Sequence, residues 1–306
     1  MTPEHGRRAA VAATLAIAVA AGGCSSLGAS GSPRETVLVT EVVTTVTAAS
    51  PVQGGVGVPG AAAGVPPAPV PPAPDVPAAL DAVISAVPGS SGVAVSAVGG
   101  AGEVRSAGLW RTGVAWSTIK VPLAVAVART DPQALEASAT AITVSDNGAA
   151  ERLWDSLGGG ASAASAVGAV LAEGGDSTSQ VPSVHTRAGY TIFGQTRWAL
   201  SDQARFGSRL PCLQSSARVL ELMGQVSPDQ RWGLGRIPGA RVKGGWGPGE
   251  GGGYLVRQFG IVPGAGGDVA VALAIDAPSF EAGAAALSTM ADDLAPHLPS
   301  IPGGVC

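Results

Sequence analysis

Hydrophobic and polar positions fall into three regimes along the chain. From Arg7-Arg8 onward, a basic pair precedes an apolar run from Ala9 to Ala21, closed by Gly22-Gly23-Cys24. Such a run is too short and too alanine-rich for a good membrane span, and residues 1–23 read as a secretory leader. Residues 24–75 show no sustained period. They hold no aromatic side chain, and nine prolines crowd Pro51 to Pro77 among Gly, Ala, Ser and Thr. A stretch like this buries too little to offset its ordering entropy and reads as a disordered tether. It would span on the order of 40 Å as a coil and about 150 Å in polyproline II. Thr36 to Thr47 alternates enough to pair as a strand, but its threonine content suits a solvated linker or glycosylation substrate.

From residue 76 to 306 the pattern is that of one folded domain with a sizeable core. Helical spacing marks Ala78–Ala86. Alternation then marks Ser91–Val98, with Glu103–Leu109 able to pair with it across Gly99-Gly100. Helices are expected from Ser117 to Arg129, from Asp131 to Ala139 behind an Asp-Pro start, and from Gly148 to Leu157. Further helices are expected over Ala161–Ala172, Arg197–Arg205 and Ser215–Gln225. The period then changes to two. Arg241–Lys243, Tyr254–Val262 and Asp268–Asp276 read as strands, Gly247–Gly253 as a hairpin lip, and Phe280–Leu294 as a closing helix. Strands, helices, strands and helix in that order imply an α+β fold with a helical layer inserted into an antiparallel sheet.

Composition changes the picture at three places. Of eighteen basic side chains only Lys120 and Lys243 are lysines, and Asn147 is the sole asparagine. Where arginine could serve, arginine was used. These exceptions fall in Ser117-Thr-Ile-Lys120, Ser145-Asp-Asn147 and Lys243-Gly-Gly245. Ser117 and Lys120 are one helical turn apart. A serine hydroxyl needs a base to become a nucleophile, and a desolvated lysine can be one, whereas arginine does not deprotonate.

The order and types of these motifs resemble the Ser-x-x-Lys, Ser-Asp-Asn and Lys-Thr-Gly set of penicillin-recognising serine hydrolases. The wording of Ala141-Ile-Thr-Val-Ser-Asp-Asn-Gly-Ala-Ala-Glu-Arg-Leu-Trp is closest to class A β-lactamases. The resemblance implies a β-lactamase/transpeptidase-like fold, a five-stranded antiparallel sheet with a helical subdomain. It makes Ser117 the nucleophile, Lys120 its base, Ser145 a proton relay and Lys243 the cation that orients Ser145. Asn147, Gly244, Gly245 and Trp246 would hold the substrate, with the N–H groups of Ser117 and Trp246 as oxyanion donors. Arg257 is either a grip for a substrate carboxylate or a solvated strand residue.

Three departures from the family pattern stand out. Ser117 and Ser145 are only 28 residues apart, about half the family's interval, so part of the helical wall beside the cleft is shortened. Gly244 replaces a hydroxyl residue that helps bind the substrate carboxylate. Val181–Thr196, where class A enzymes carry the glutamate that activates the deacylating water, holds no Asp or Glu. His185 lies there as a titratable alternative or a loop residue. Glu151 and Asp155 read as a charged outer face of their helix, and Trp110, Trp116 and Trp198 as core or cleft wall.

The reading that follows is a slow serine acyl hydrolase, D,D-peptidase-like or esterase-like, on peptidoglycan-type or other acyl groups. The alternatives are a non-catalytic binding module and, third, a β-lactamase. Gly22-Gly23-Cys24 resembles a lipobox, with Ala21 in place of its usual leucine. This implies lipidation of Cys24, export, and anchoring to the outer face of the cell membrane. The whole resembles alanine-rich lipoproteins of mycobacteria and their relatives, of the LppW kind. The remaining Cys212 and Cys306 are expected to form a disulfide in such an exported chain. No cofactor is expected, and no metal, with three histidines of which His5 is in the leader. A net charge of −4 offers no footprint for nucleic acid, and the domain is expected to be a monomer.

Overall fold

The computed structural model describes residues 75–100, 103–131 and 134–306. The leader, Cys24 and all of the tether but Asp75 lie outside the described residues. The domain opens on α1 (Val76–Ser85), where the Asp75 carboxylate caps the Ala78 amide at 3.1 Å and Pro77 occupies the first turn. β1 (Ser91–Ala97) and β2 (Arg105–Gly108) pair antiparallel, β2 being shorter than its pattern suggested. A short strand, β3 (Thr112–Val114), leads into one 3₁₀ turn over Trp116–Ile119 and then α2 (Lys120–Thr130).

Every residue of α2 from Lys120 to Val127 is buried. A helix apolar nearly all round belongs at the centre of its layer, and α2 has that place. Asp131 ends α2, its amide bonding the Val127 carbonyl at 2.8 Å. The next helix, α3 (Leu135–Thr143), therefore starts later than the Asp-Pro signal suggested, and Pro132 lies outside the described residues. α4 (Asn147–Ser156) is capped by Asp146, whose carboxylate accepts from the Ala149 amide at 2.6 Å. α5 (Gly160–Glu173) follows the glycine run.

A second correction comes at residues 197–199, expected as the start of a helix. They form β4 (Arg197–Ala199), which pairs with β3 as a separate two-stranded sheet. Three residues are too few to show a period, and the buried Trp198 between two more exposed neighbours is what the pairing needs. α6 (Leu200–Arg209) and α7 (Ala217–Met223) complete the helical side. The chain then returns to the sheet as β5 (Arg241–Pro248), β6 (Tyr254–Gly264) and β7 (Gly267–Ala277), and closes with α8 (Phe280–Leu294).

The main sheet is antiparallel, in the order β2-β1-β7-β6-β5. Side-chain parity sets its two faces. Val269, Val271, Leu273 and Ile275 of β7 join the core under α1 and α8, while Ala272 and Ala274 join the core of the helical layer. Small residues on that second face let α6 approach closely. A β-carbon on Gly207 would lie 3.2 Å from that of Ala270.

Cys212, in the 3₁₀ turn after α6, is disulfide-bonded to Cys306 across 94 residues of sequence. The tail is also laid on the sheet through reciprocal backbone bonds between Asp268 and Gly304 at 2.8 and 3.0 Å. Removing the cross-link with Cys212→Ser/Cys306→Ser is expected to lower the unfolding free energy by about 2–4 kcal/mol without changing the fold. Urea denaturation followed by circular dichroism, with native near-ultraviolet bands as the check on fold, measures this.

Candidate active site

α2, the turn between α3 and α4, and the edge strand β5 meet at one point, and each brings one motif. Lys120 opens α2 with its amine buried. Its Nζ donates to the Ser145 carbonyl at 2.5 Å and to Asn147 Oδ1 at 2.8 Å, and lies 3.5 Å from Ser145 Oγ. From the other side, Lys243 Nζ donates to Ser145 Oγ at 2.8 Å and to the Gly244 carbonyl at 2.9 Å. Ser145 can present its carbonyl to one lysine and its hydroxyl to the other because its backbone is left-handed, at φ +62°. Trp116, just before Ser117, is also left-handed, at φ +50°. A non-glycine residue held there costs on the order of 1–3 kcal/mol, and such strain gathers at functional sites.

Ser117 lies in the 3₁₀ turn, half-buried, and lines a cleft of about 430 Å³. Asn147, Glu151, His185, Tyr190 and Trp246 line the same cleft. No hydrogen bond joins Lys120 to Ser117 among the described residues; the amine rests on Ser145 and Asn147. Gly245 explains how β5 reaches the nucleophile. A β-carbon there would lie 2.8 Å from the Ala115 carbonyl and 2.9 Å from the Ser117 nitrogen, so only glycine lets the strand come this close. Gly244 is glycine for a different reason. A β-carbon at 244 would meet the Trp232 ring at 2.5 Å. Trp232 packs edge-on to Trp246 and Phe280, with ring centroids 6.2 and 5.9 Å away.

The electrostatics follow from this crowding. Burial lowers the Lys120 pKa to about 8, against the opposing pull of the Asp146 and Glu151 carboxylates. Lys243 is pushed well below the usual lysine value, first by burial and then by repulsion from Lys120. Two amines sharing one hydroxyl in a desolvated place do not both hold a proton easily.

Arg257 does not join this group. It is fully buried on β6, on the same side as Leu255 and Phe259, and is not among the residues that line the cleft. It donates to the carbonyls of Gly113, Val114 and Trp198 at 3.1–3.2 Å and to Gln203 Oε1 at 2.8 Å. Neither sequence-level alternative holds, substrate grip or solvated strand residue. Burial brings its pKa down to about 9, so it stays cationic at neutral pH and ties β6 to the β3–β4 ribbon. Glu151 is the opposite case. Expected on a solvated outer face, it lines the cleft, one turn beyond Asn147 on α4. The spacing of four from Asn147 was the available signal.

The chain folds in the manner of known structures. A β-lactamase from Sphaerobacter thermophilus superposes with a TM-score of 0.56 at 20% identity, over 74% of this chain and 99% of that one. A β-lactamase from Burkholderia vietnamiensis gives 0.54 at 19% identity, over 72% and 97%. An ancestral class A β-lactamase gives 0.52 at 18% identity, over 71% and 97%. The fold is that of class A β-lactamases. No protein-family model matches the chain, and no curated protein matches it in sequence.

Two measurements check the electrostatic account. Lys120 gives up its proton near pH 8 when folded and near 10.5 when unfolded. Between these values the unfolded chain binds more protons, so stability rises with pH across that window and the Lys120 contribution is flat below it. Lys120→Met is expected to reduce this slope in urea midpoints taken from pH 7 to 10. Arg257→Met is expected to cost about 2–4 kcal/mol in the same assay, because the carbonyls it serves lose their donor in the interior.

Proposed function

We propose that the domain is a serine acyl hydrolase, D,D-peptidase-like or esterase-like, acting on peptidoglycan-type or other acyl groups of the cell wall. Ser117 is the nucleophile, Lys120 its base, Ser145 the relay to the leaving group and Lys243 the group that orients Ser145. One observation carries this reading: Lys120, Asn147, Ser145 and Lys243 form a continuous hydrogen-bonded chain beside Ser117 in an open cleft. Counting donors supports it further. A neutral amine has two N–H bonds and a lone pair. Two donors go to the Ser145 carbonyl and Asn147, so a neutral Lys120 keeps a lone pair with which to take a proton from a hydroxyl brought within reach.

In the proposed step, Ser117 Oγ attacks an acyl carbonyl while Lys120 takes its proton. The N–H groups of Ser117 and Trp246 receive the oxyanion, a contribution of about 3–4 kcal/mol. The close seating of Gly245 on the Ser117 nitrogen supports such a pair of donors. Ser145 then protonates the leaving atom, and Lys243 holds that hydroxyl in line. The chain around the domain is proposed to be an exported lipoprotein, held by lipid on Cys24 to the outer face of the cell membrane, of the alanine-rich kind named above. A tether of this composition would lift the domain into wall material.

A second reading rests on the position of Lys120, bonded to Ser145 and Asn147 and not to Ser117: a non-catalytic module that keeps the cleft to bind a ligand or partner. A β-lactamase ranks third, because Gly244 lacks the hydroxyl for a carboxylate and Trp232 fills the space beside it. Labelling with a fluorophosphonate and a fluorescent penicillin distinguishes these readings. Wild type is expected to label covalently, and Ser117→Ala to lose the label. A wild type that never labels supports the binding module, and rapid nitrocefin turnover supports the β-lactamase.

A further inference from the structure

We propose that Glu151, on α4, is the general base that activates the water releasing the acyl group from Ser117. This rests on Ser117 being the nucleophile and supplies the step that reading leaves open. In the class A pattern the carboxylate for this step belongs to the segment corresponding to 181–196, which here contains neither Asp nor Glu. The fold brings a carboxylate to the same cleft from another wall.

Glu151 follows Asn147 by one helical turn, so both face the same way from α4. Asn147 is 2.8 Å from the Lys120 amine, and Ser117, Asn147 and Glu151 line one cleft. The Glu151 carboxylate makes no ion pair with an arginine among the described residues, although Arg152 is its neighbour in sequence. It is exposed to the solvent that must supply the nucleophile. Its charge reaches the Lys120 amine, where it opposes the effect of burial. A helix of ten residues holds it, more firmly than a loop would.

His185 is the competing base. It lines the same cleft, and its Nδ1 lies 3.0 Å from the Tyr190 carbonyl. A carbonyl only accepts, so that contact requires a proton on Nδ1. Glu151 is preferred on position: it stands one turn from Asn147, which holds the Lys120 amine at 2.8 Å, on a regular helix, whereas His185 lies outside any helix or strand and is tied to the Tyr190 carbonyl.

The step balances without a co-reactant other than water. Glu151 takes one water proton as the water oxygen bonds to the acyl carbon. The tetrahedral intermediate then breaks its bond to Ser117 Oγ, which receives the proton from Glu151. The products are a free carboxylic acid and the restored serine.

The test separates the two rates. The full chain is acylated with p-nitrophenyl acetate and with a fluorescent penicillin, and the adduct is followed by intact mass after removal of excess reagent. Glu151→Gln is expected to acylate within about threefold of wild type while its adduct decays about 100-fold more slowly. Asp155→Asn, one turn further along α4, is expected to leave the decay unchanged. An adduct that decays at the wild-type rate in Glu151→Gln overturns the role of Glu151 alone. Persistence of the adduct in His185→Gln with normal decay in Glu151→Gln does the same and transfers the role to His185. A wild type that forms no adduct at Ser117 overturns the nucleophile reading, and the base goes with it.

Discussion

Two buried amines converging on one serine is the constraint on which the rest of this domain depends. Ser145 sits between Lys120, from the central helix, and Lys243, from the edge of the sheet. Burial disfavours the charge of each lysine, and Lys120 repels Lys243. The arrangement persists because each amine is met by acceptors: the Ser145 and Gly244 carbonyls, the Asn147 amide oxygen and the Ser145 hydroxyl. Three otherwise separate elements are thereby fixed to within a hydrogen bond of one another. Left-handed backbone at Ser145 and the lack of a side chain at Gly245 are the local concessions that make this possible. Strain of this kind is tolerated where the surrounding core overdetermines it, and α2 is buried over eight consecutive residues.

Much of this was legible because the chain avoids lysine and asparagine. A Ser-x-x-Lys motif is weak on its own, but the only two lysines and the only asparagine are the residues that meet around Ser145. The long elements were legible from their period, as in α2, α5, α8 and the pair β6 and β7. What escaped were features with no period of their own. β3 and β4 are three residues each and exist only through their mutual pairing. Arg257 looks in sequence like a charge on a strand, although its parity with Leu255 and Phe259 places it on a buried face. A charged side chain on such a face finds acceptors, here the carbonyls of Gly113, Val114 and Trp198 in the β3–β4 ribbon. Glu151 was missed because the charges beside it, Arg152 and Asp155, suggested a solvated stripe. The helix turns Arg152 away from the side that carries both Asn147 and Glu151.

The glycine at 244 shows how one substitution is bound to its surroundings. In isolation it removes a hydroxyl from the third motif. In the fold it admits the Trp232 ring, which in turn stacks its edge on Trp246 and Phe280. Trp246 and Phe280 lie with centroids 4.7 Å apart, and Trp246 reaches the cleft. A polar corner that would favour a carboxylate is thus an aromatic one, which favours flat or apolar groups. Restoring the hydroxyl alone would force serine into the space of an indole. The change at 244 and the tryptophan at 232 therefore belong together.

The segment between α5 and β4 closes the opposite side, and its chemistry explains why the acid is elsewhere. Asp176, buried at its start, accepts from the Thr178 and Ser179 amides at 3.1 and 3.0 Å and so fixes the exit from α5. Further on, Arg187 donates to the Pro248 carbonyl at 3.1 Å and lies 4.6 Å from the centroid of Tyr190, whose ring meets Trp116 edge-on. A second bridge, Arg197 to Glu250, joins the start of β4, just past this segment, to the turn after β5 at the surface. Guanidinium groups thus span the gap between this segment and the end of β5, and the segment's residues serve to hold the cleft's rim. A carboxylate placed among them would be drawn into pairing with Arg187 and lost to the cleft. On α4, at the same cleft but outside that segment, an acid is exposed to water and makes no ion pair with an arginine among the described residues. The same fold can therefore separate the task of closing the cleft from that of supplying its acid, with one wall assigned to each.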